Sequence, residues 1–359
     1  MLKSMKSGAA VLMAMSAAIL AAQTPARIQP WTAQWITAPG VPQRDEVVLH
    51  FRKLIQLPQQ KPEHFLIDVS ADNEFILYVN QQRVGSGPSH SDLAHWRYET
   101  YDLSPVLHAG ENILAATVWN FGTHAAVRQI SDRVGFLVRG ESASEGVADT
   151  DVTWEVEQEK GIETIQPQMH QYYAAGPGER WDGAKFDWDW SSGLHSNNEW
   201  TKAVSLGRGA PKGTTDAPNN WQLVADPLPA MQFSETEAGR ILRVTGADAS
   251  TGVPLRNFTV PAHTGVSILL DNSQLTTAYP ALTVSGGGGA TVRFTYSEAL
   301  IDDHGEKGNR NQIEGKHIVG VQDEFLPGGV SCLRVHAPGM ADLAISSTRR
   351  ENCGPAVAN

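Results

Sequence analysis

Apolar side chains recur at every second position in two neighbouring stretches, residues 65–69 and 75–79. This period predicts two β-strands, each with one buried face. The small and polar residues 70–73 between them suit a tight turn, and Asn80 suits the turn of a second hairpin. The stretch is therefore expected to form a series of antiparallel hairpins.

Further short strands of the same character surround this stretch. They are expected at residues 47–55, 97–103, 112–120, 135–138 and 153–156, with 47–55 as an edge strand. Short strands at this spacing predict an antiparallel β-sandwich, which we place at residues 27–225.

A second β-rich region is expected at residues 241–329. Its predicted strands are 255–260, 266–271, 281–285 and 291–298, with a flexible glycine turn at 286–289. Prolines near residue 227 cannot continue a sheet and predict a linker at 226–240. The chain is thus expected to be all-β, with two antiparallel β-sandwich domains in tandem.

The first 22 residues have the features of a secretory signal peptide. Lys3 and Lys6 precede an apolar run from Ala9 to Ala22, which ends in small residues. The run is too short for a membrane anchor, and no stop-transfer segment follows it. We expect cleavage after Ala22, a periplasmic or extracellular product, and no membrane-spanning segment in that product.

The charge and the cysteine content narrow the range of partners. The net charge is −11, and it becomes −13 without Lys3 and Lys6. The sequence has no basic stripe, so nucleic acid is not an expected partner. An acidic surface with aromatic residues suits neutral ligands such as sugars. Residues 23–331 contain no cysteine, so the fold is not expected to depend on disulfides.

All ten tryptophans lie between Trp31 and Trp221, and five of them fall within residues 160–225. Buried tryptophans commonly hold loops onto a sandwich, with the indole N–H bonded to a carbonyl. An exposed tryptophan instead offers a flat apolar face on which a sugar can stack. The sequence is compatible with both roles, and the first is the more common one.

Four motifs in the first region carry a resemblance to a known family. They are residues 71–73 (Ala-Asp-Asn), 77–80 (Leu-Tyr-Val-Asn), 101–103 (Tyr-Asp-Leu) and 107–112 (Leu-His-Ala-Gly-Glu-Asn). Together they resemble the jelly-roll, galactose-binding-like domain at the front of bacterial α-L-rhamnosidases.

The second region is similar to the same family. Residues 269–272, 278–280, 296–300, 307–310 and 323–325 resemble its second, non-catalytic β-sandwich. The family's catalytic residues lie in an (α/α)-barrel after the sandwiches, and no part of this sequence resembles that barrel. The resemblance therefore implies no catalytic residue in this chain and at most a carbohydrate-binding role.

Residues 330–359 differ in character from the rest of the chain. They lack periodicity and contain both cysteines, Cys332 and Cys353. A one-base shift of the reading frame, with suitable synonymous codons, allows tryptophans near Met340 and Leu343, in a string similar to the family's next strand. We expect this tail to be out of frame, through a frameshift or truncation near residue 330.

Five residues are candidate carbohydrate-binding residues. The resemblance implies that Asp72 and Asn73 lie where related modules place ligands for sugar hydroxyls or calcium, and an Asx turn is the alternative. Asn120 ends the predicted strand 112–120, and we expect it at the same edge of the sandwich as Asp72 and Asn73. Trp96 and Tyr98 follow a polar loop and can stack on a sugar or pack over the sandwich. This interpretation requires no cofactor and is compatible with calcium.

Two other polar groups carry weaker signals. Four histidines lack the spacing of a zinc site, namely His90, His95, His108 and His124. A group of carboxylates is more often a solvated turn than the pair that glycoside hydrolysis needs; its members are Glu298, Asp302, Asp303 and Glu306.

The sequence thus predicts the secreted, non-catalytic front part of an α-L-rhamnosidase-like glycoside hydrolase. The full-length relative would act on α-L-rhamnosyl glycosides, and the missing barrel would be the partner of the two sandwiches. A free-standing lectin-like carbohydrate-binding protein is the alternative. A small hydrolase that uses Glu298 is a third hypothesis.

Overall fold

In the computed structural model, the described residues are 28–60, 62–166, 176–192, 200–231, 234, 239–248, 250–255, 259–274, 281–309, 311–328 and 333–336. The predicted signal peptide at 1–22, both cysteines and most of the tail at 330–359 lie outside them.

The described residues form strands and four short 3₁₀ helices, and they contain no α-helix. The all-β prediction is therefore confirmed. The strands are β1 (Gln34–Thr37), β2 (Glu46–Leu57), β3 (Leu66–Asp72), β4 (Glu74–Val79), β5 (Gln82–Gly87), β6 (Trp96–Asp102), β7 (Gly110–Phe121), β8 (Gly135–Gly140), β9 (Glu155–Gln158), β10 (Ile162–Ile165), β11 (Gly178–Asp182), β12 (Thr201–Lys202), β13 (Val204–Arg208), β14 (Ala210–Pro211), β15 (Gln222–Ala225), β16 (Arg240–Thr245), β17 (Ser267–Asp271), β18 (Ala281–Val284), β19 (Val292–Tyr296), β20 (Val321–Leu326) and β21 (Leu333–His336). The 3₁₀ helices are Leu93–His95, Gly122–His124, Glu145–Ala148 and Trp190–Ser192.

Two sheets form the sandwich. A seven-stranded sheet has the order β13-β1-β8-β3-β6-β15-β14, and a six-stranded sheet has the order β12-β9-β2-β7-β4-β5. Inward-facing apolar residues of both sheets make one core, in which Phe51 of β2 stacks on Phe136 of β8 at 5.2 Å between ring centroids. The period-two pattern of the sequence is this inward face, because alternate strand residues point to opposite sides of a sheet.

A further layer covers the outer face of the six-stranded sheet. It contains a four-stranded sheet of order β10-β11-β20-β19 and the tryptophan-rich segment around Trp190. Trp181, Phe186 and Trp190 pack with Phe325 on outward residues of the six-stranded sheet. This layer joins strands from both sides of the expected linker at 226–240.

The hairpin at Asn80 is confirmed, but the turn expected at residues 70–73 is wrong. Asn80 and Gln81 have φ values of 51° and 68°, as a tight hairpin turn between β4 and β5 requires. Residues 70–72 instead continue β3, and the chain then crosses from the seven-stranded sheet to β4 in the six-stranded sheet. Tertiary hydrogen bonds make this crossing possible, because they satisfy the buried polar groups of Asp72 and Asn73.

The strand expected at the edge of the sandwich lies inside it. β2 pairs with β7 along its whole length and with β9 on its other side. Its outward residues Val48 and His50 are buried because the additional layer covers them.

Beyond residue 240 the described strands are short. The predicted strands at 266–271, 281–285 and 291–298 are confirmed as β17, β18 and β19. The strand predicted at 255–260 lies partly outside the described residues, and its described residues are not in a strand. Four residues of the expected tail form β21, which pairs with β18. The division into domains remains a prediction.

No helix within the described residues is long and apolar enough to cross a membrane.

Candidate functional site

Three of the five candidate residues meet in one buried hydrogen-bond network. Asp72, Asn73 and Asn120 are exposed by 0%, 1% and 1%. Oδ1 of Asp72 accepts hydrogen bonds from Ser131 Oγ at 2.7 Å, Asn73 Nδ2 at 3.0 Å and Asn120 Nδ2 at 3.3 Å. The side chains are thus positioned by the crossing from β3 to β4 and by the end of β7.

The second oxygen of Asp72 ties a distant part of the chain to this crossing. Oδ2 accepts hydrogen bonds from the backbone N–H groups of Asp132 and Arg133, at 2.7 and 3.3 Å, and from Trp221 Nε1 at 3.0 Å. Burial raises the pKa of Asp72 to about 6, and these donors oppose the shift because they favour the ionised form. The carboxylate therefore anchors the loop before β8 and the residue before β15.

Asn73 and Asn120 extend the network to the end of β7. Asn73 Oδ1 accepts a hydrogen bond from the Phe121 backbone N–H at 2.8 Å, and Asn120 Oδ1 accepts one from Gly122 at 2.9 Å. The arrangement satisfies backbone groups that the strands leave unpaired. The Asx turn considered for Asp72 is replaced by long-range contacts of the same carboxylate.

Two arginines contact Asp132, whose backbone N–H donates to Asp72. Arg44 Nε donates to the Asp132 carbonyl at 2.9 Å, and Arg133 Nε donates to the Asp132 carboxylate at 3.1 Å. Asn220 Nδ2 also donates to that carboxylate, at 3.1 Å. The Asp132 carboxylate thus offsets part of the positive charge of Arg44 and Arg133.

The remaining two candidates, Trp96 and Tyr98, lie elsewhere, on the outer face of the seven-stranded sheet. Trp96 is 2% exposed and packs in a cluster with Trp35, Trp221 and Leu223. Tyr98 is half-buried at the border of this cluster. The structure therefore places the five candidates in two groups, with Trp221 contacting both.

The surface around Tyr98 combines aromatic rings with an ion pair between Asp68 and Arg139. We call it the Trp31 face; it consists of Trp31, Asp68, Tyr98, Thr100 and Arg139. The Trp31 and Tyr98 rings meet edge to face at 5.3 Å, and the Arg139 guanidinium lies 4.7 Å from the Trp31 ring.

Asp68 organises the polar half of the Trp31 face. It accepts hydrogen bonds from Arg139 Nη1 and from Thr100 Oγ1, both at 2.8 Å. The three residues are direct neighbours across β8, β3 and β6. Burial raises the pKa of Asp68, and both hydrogen bonds oppose that shift. The face is thus close to neutral, with a half-buried Trp31 and a half-buried Tyr98 at its centre.

Sequence reasoning missed Trp31, Asp68 and Arg139 as members of a site. The available signal was a charged residue in the middle of two apolar strands, Asp68 in β3 and Arg139 in β8. Strand pairing brings these two residues together, and their separation along the chain conceals this.

Most of the tryptophans have the packing role. Trp154 Nε1 and Trp188 Nε1 donate to backbone carbonyls at 3.0 Å, as expected for loops held onto a sandwich. Trp181 Nε1 donates instead to the Glu179 carboxylate at 2.9 Å. Trp31 and Trp200 are half-buried beside Arg139 and Arg52 respectively.

The carboxylates near Glu298 form a turn. Asp302 Oδ1 accepts hydrogen bonds from the backbone N–H groups of His304 and Glu306 at 2.9 Å, which lowers the pKa of Asp302. Asp303 has a side chain that is 91% exposed. In the described part of the chain, no group of three or more His, Cys, Asp or Glu side chains could hold a metal ion.

Several solved structures with a similar fold are rhamnosidases. The chain resembles the GH78 family rhamnosidase of Bacillus sp. GL1 over 60% of its own length, with 23% identity and a TM-score of 0.51. It resembles the α-L-rhamnosidase from Dictyoglumus thermophilum over 87%, with 16% identity and a TM-score of 0.55. For the α-L-rhamnosidase from Aspergillus terreus the values are 86%, 18% and 0.53.

The match covers 22%, 33% and 34% of those proteins, so the chain spans about a third of their length or less. A scan against family models finds no match, and a search of the curated proteins finds none either. At these identities the likeness concerns the fold. The chain thus has the fold of one part of the α-L-rhamnosidases.

Proposed function

We propose that this chain is the non-catalytic, carbohydrate-binding β-sandwich portion of an α-L-rhamnosidase-like glycoside hydrolase. The likeness to one part of rhamnosidases supports this, together with the resemblance of the sequence motifs. The natural ligand would be an α-L-rhamnosyl glycoside. Hydrolysis would belong to a further part of a longer protein.

The Trp31 face carries the binding proposal. A sugar ring has apolar faces that stack on aromatic side chains and hydroxyls that need hydrogen-bonding partners. Trp31 and Tyr98 supply the first, while Thr100 and Arg139 supply polar groups around them. Because Asp68 offsets the charge of Arg139, the face suits a neutral saccharide.

The direct test is a calorimetric titration of the full chain with methyl α-L-rhamnoside. We expect weak, saturable binding in the millimolar range. Trp31→Ala should reduce the affinity about tenfold or more, which corresponds to 1.4 kcal/mol.

Trp200→Ala is the matched control. Trp200 also stacks with an arginine, since the Arg52 guanidinium lies 3.7 Å from its ring, but it belongs to the opposite sheet. The affinity should not change in this variant. An equal loss in both variants, or no binding by the unaltered chain, would reject the Trp31 face as the site.

We also infer that the chain is exported. Lys3, Lys6 and the apolar run to Ala22 support this. Mass spectrometry of the product recovered from the periplasm or the medium should show Gln23 as the first residue. A product that keeps Met1 and stays in the cytoplasm would contradict the inference.

For the tail we propose that the reading frame shifts near residue 330 and that the original frame encodes a longer protein. Sequencing the coding DNA from codon 320 onwards tests it. A shifted frame that stays open into a helical-barrel sequence would support a rhamnosidase interrupted near residue 330. Unrelated DNA after the stop would favour the lectin-like alternative.

A further inference from the structure

One strand pairing in the described part of the chain joins residues before 226 to residues after 240. Strand β11 runs parallel to β20, with Arg180, Trp181 and Asp182 opposite Glu324, Phe325 and Leu326. This contact is only three residue pairs long. We call the β11–β20 pairing and the side chains at its start the joint.

Two carboxyl groups are buried at the start of the joint. Glu179 is 5% exposed and Asp323 is 3% exposed. Asp323 Oδ1 accepts a hydrogen bond from the Glu179 backbone N–H at 2.8 Å, and Glu179 Oε2 accepts one from Trp181 Nε1 at 2.9 Å. The Tyr296 hydroxyl of β19 faces Asp323. The two acids therefore belong to the contact itself.

The charged groups of the sandwich that face Glu179 are also acidic. Glu74 of β4 and Glu46 of β2 act on it, and both charges disfavour its ionisation. His90 Nε2 lies 3.4 Å from Glu74, and His124 Nδ1 lies 3.2 Å from Glu46. The two histidines are thus paired with the outer carboxylates.

The arginines of this sheet are paired with a different acid. Arg180 Nη2 lies 2.9 Å from Glu324, and Arg293 Nε donates to the same carboxylate at 2.9 Å. Strand geometry places Glu324 on the opposite face of the sheet from Asp323. Among the described residues, Glu179 and Asp323 form no ion pair with a lysine or arginine.

Burial is the largest influence on both acids. It raises the pKa of Glu179 to about 8 and the pKa of Asp323 to about 6. The hydrogen bonds from Trp181 to Glu179 and from the Glu179 backbone N–H to Asp323 oppose these shifts. At pH 6 Glu179 therefore keeps its proton in the joined state, and above pH 8 both groups are ionised.

We propose that the joint is a proton-dependent coupling, which holds β20 on β11 while Glu179 is protonated and loosens when Glu179 and Asp323 are both ionised. The state in which β11 and β20 are paired binds more protons than the state in which they have separated. A rise in pH therefore favours separation of the two strands. For Glu179 the stabilisation is complete below its ordinary pKa near 4.5 and is lost as the pH rises through about 8. For Asp323 the loss occurs between about 3.8 and 6.

Hydrogen exchange of the full chain, measured by mass spectrometry at pH 6 and pH 9, tests the coupling. Protection factors, corrected for intrinsic exchange, are compared between peptides covering β19 and β20 and peptides covering β7 as an internal reference. We expect protection of β19 and β20 to fall at least tenfold relative to β7 at the higher pH. A constant ratio would overturn the proposal, whatever the variants do.

Glu179→Gln separates ionisation from packing. The amide has nearly the same volume and can still accept the Trp181 N–H, but it cannot ionise. Its protection ratio should change less than threefold between the two pH values. Glu163→Gln is the control on the neighbouring strand β10. The Glu163 side chain is 61% exposed and lies 3.8 Å from Arg180 Nη1 of the joint, so this variant removes an exposed charge at the same contact and leaves the buried acids in place. It should behave like the unaltered chain.

Asp323→Asn covers the case in which Glu179→Gln does not fold. Between pH 6 and pH 9 its protection of β19 and β20 should still fall at least tenfold relative to β7, because Glu179 still ionises in this range. A constant ratio in this variant would reject Glu179 as the group that controls the joint. A Glu179→Gln variant that folds and still loses protection as the unaltered chain does would assign the pH effect to other groups and reject the coupling.

Discussion

At the scale of single residues, Asp72 connects distant parts of the chain through one buried carboxylate. Its carboxylate accepts six hydrogen bonds, three of them from backbone N–H groups or an indole. These donors come from the crossing at Asn73, the end of β7, the loop before β8 and Trp221. One buried acid therefore connects four parts of the chain.

Replacing this acid by alanine should be strongly destabilising. Asp72→Ala leaves several buried donors without an acceptor, and each such group costs about 1–3 kcal/mol. We expect a loss of about 3 kcal/mol or more in the free energy of unfolding, measured by urea denaturation. Asp92→Ala is the comparison, because Asp92 is an exposed cap of a 3₁₀ helix, and its loss should be about 1 kcal/mol or less. Similar losses in both variants would show that the network is not important for stability.

At the scale of elements, the alternation of apolar and polar residues predicts the positions of most strands. Which strands pair with each other depends on the rest of the fold. β2 has the pattern of a half-buried strand, yet it lies between β7 and β9 with a further layer over its outer face. β20 had no clear alternation, because Asp323 and Glu324 occupy both faces of the strand. The joint is therefore distinguished by two buried acids, Glu179 and Asp323, and not by an apolar alternation.

A glycine makes the close approach of β11 and β20 possible. A Cβ atom at Gly178 would lie 1.7 Å from the carbonyl oxygen of Gln322, so the two backbones would have to separate. Gly178→Ala should therefore lower the free energy of unfolding by about 2 kcal/mol and increase proteolytic cleavage beyond residue 240.

Gly265→Ala is the appropriate control for this substitution. Gly265 lies in the loop before β17, and a Cβ atom there would have no neighbour within 4 Å. Its effect should stay within about 0.5 kcal/mol. If both variants were equally stable, the close approach at Gly178 would not be necessary for the pairing of β11 with β20.

At the scale of the whole molecule, burial is unevenly distributed. The sandwich contains a large apolar core with Phe51, Phe75 and Phe136 near its centre. Among the described residues after Asp226, the buried hydrophobic side chains are Ile241 and Phe325. The later strands therefore have much less apolar burial to stabilise them.

This difference predicts a hierarchy of opening. At pH 6, amides of β16 and β17 should exchange with solvent at least about tenfold faster than amides of β3 and β7, because regions with few buried contacts open at lower free-energy cost. Hydrogen exchange with mass spectrometry measures both sets in one sample. Equal protection of the two sets would mean that the chain unfolds as one cooperative unit.

The all-β class, most strands and the hairpin at Asn80 could be predicted from the sequence alone. These features depend on local alternation and turn chemistry, which neighbouring residues encode. The sequence also singled out Asp72, Asn73 and Asn120 as a related set, although not their burial. Carbohydrate binding by the candidate residues remains a prediction.

Tertiary structure alone decided which strands are neighbours and therefore which side chains meet. Asp68, Thr100 and Arg139 are separated by 32 and 39 positions along the chain, and only the register of β3, β6 and β8 places them side by side. The same holds for Glu179 and Asp323, whose contact depends on a parallel pairing across 144 residues. Local patterns specify faces and turns, whereas long-range pairing creates sites, because it depends on how all the faces are buried together.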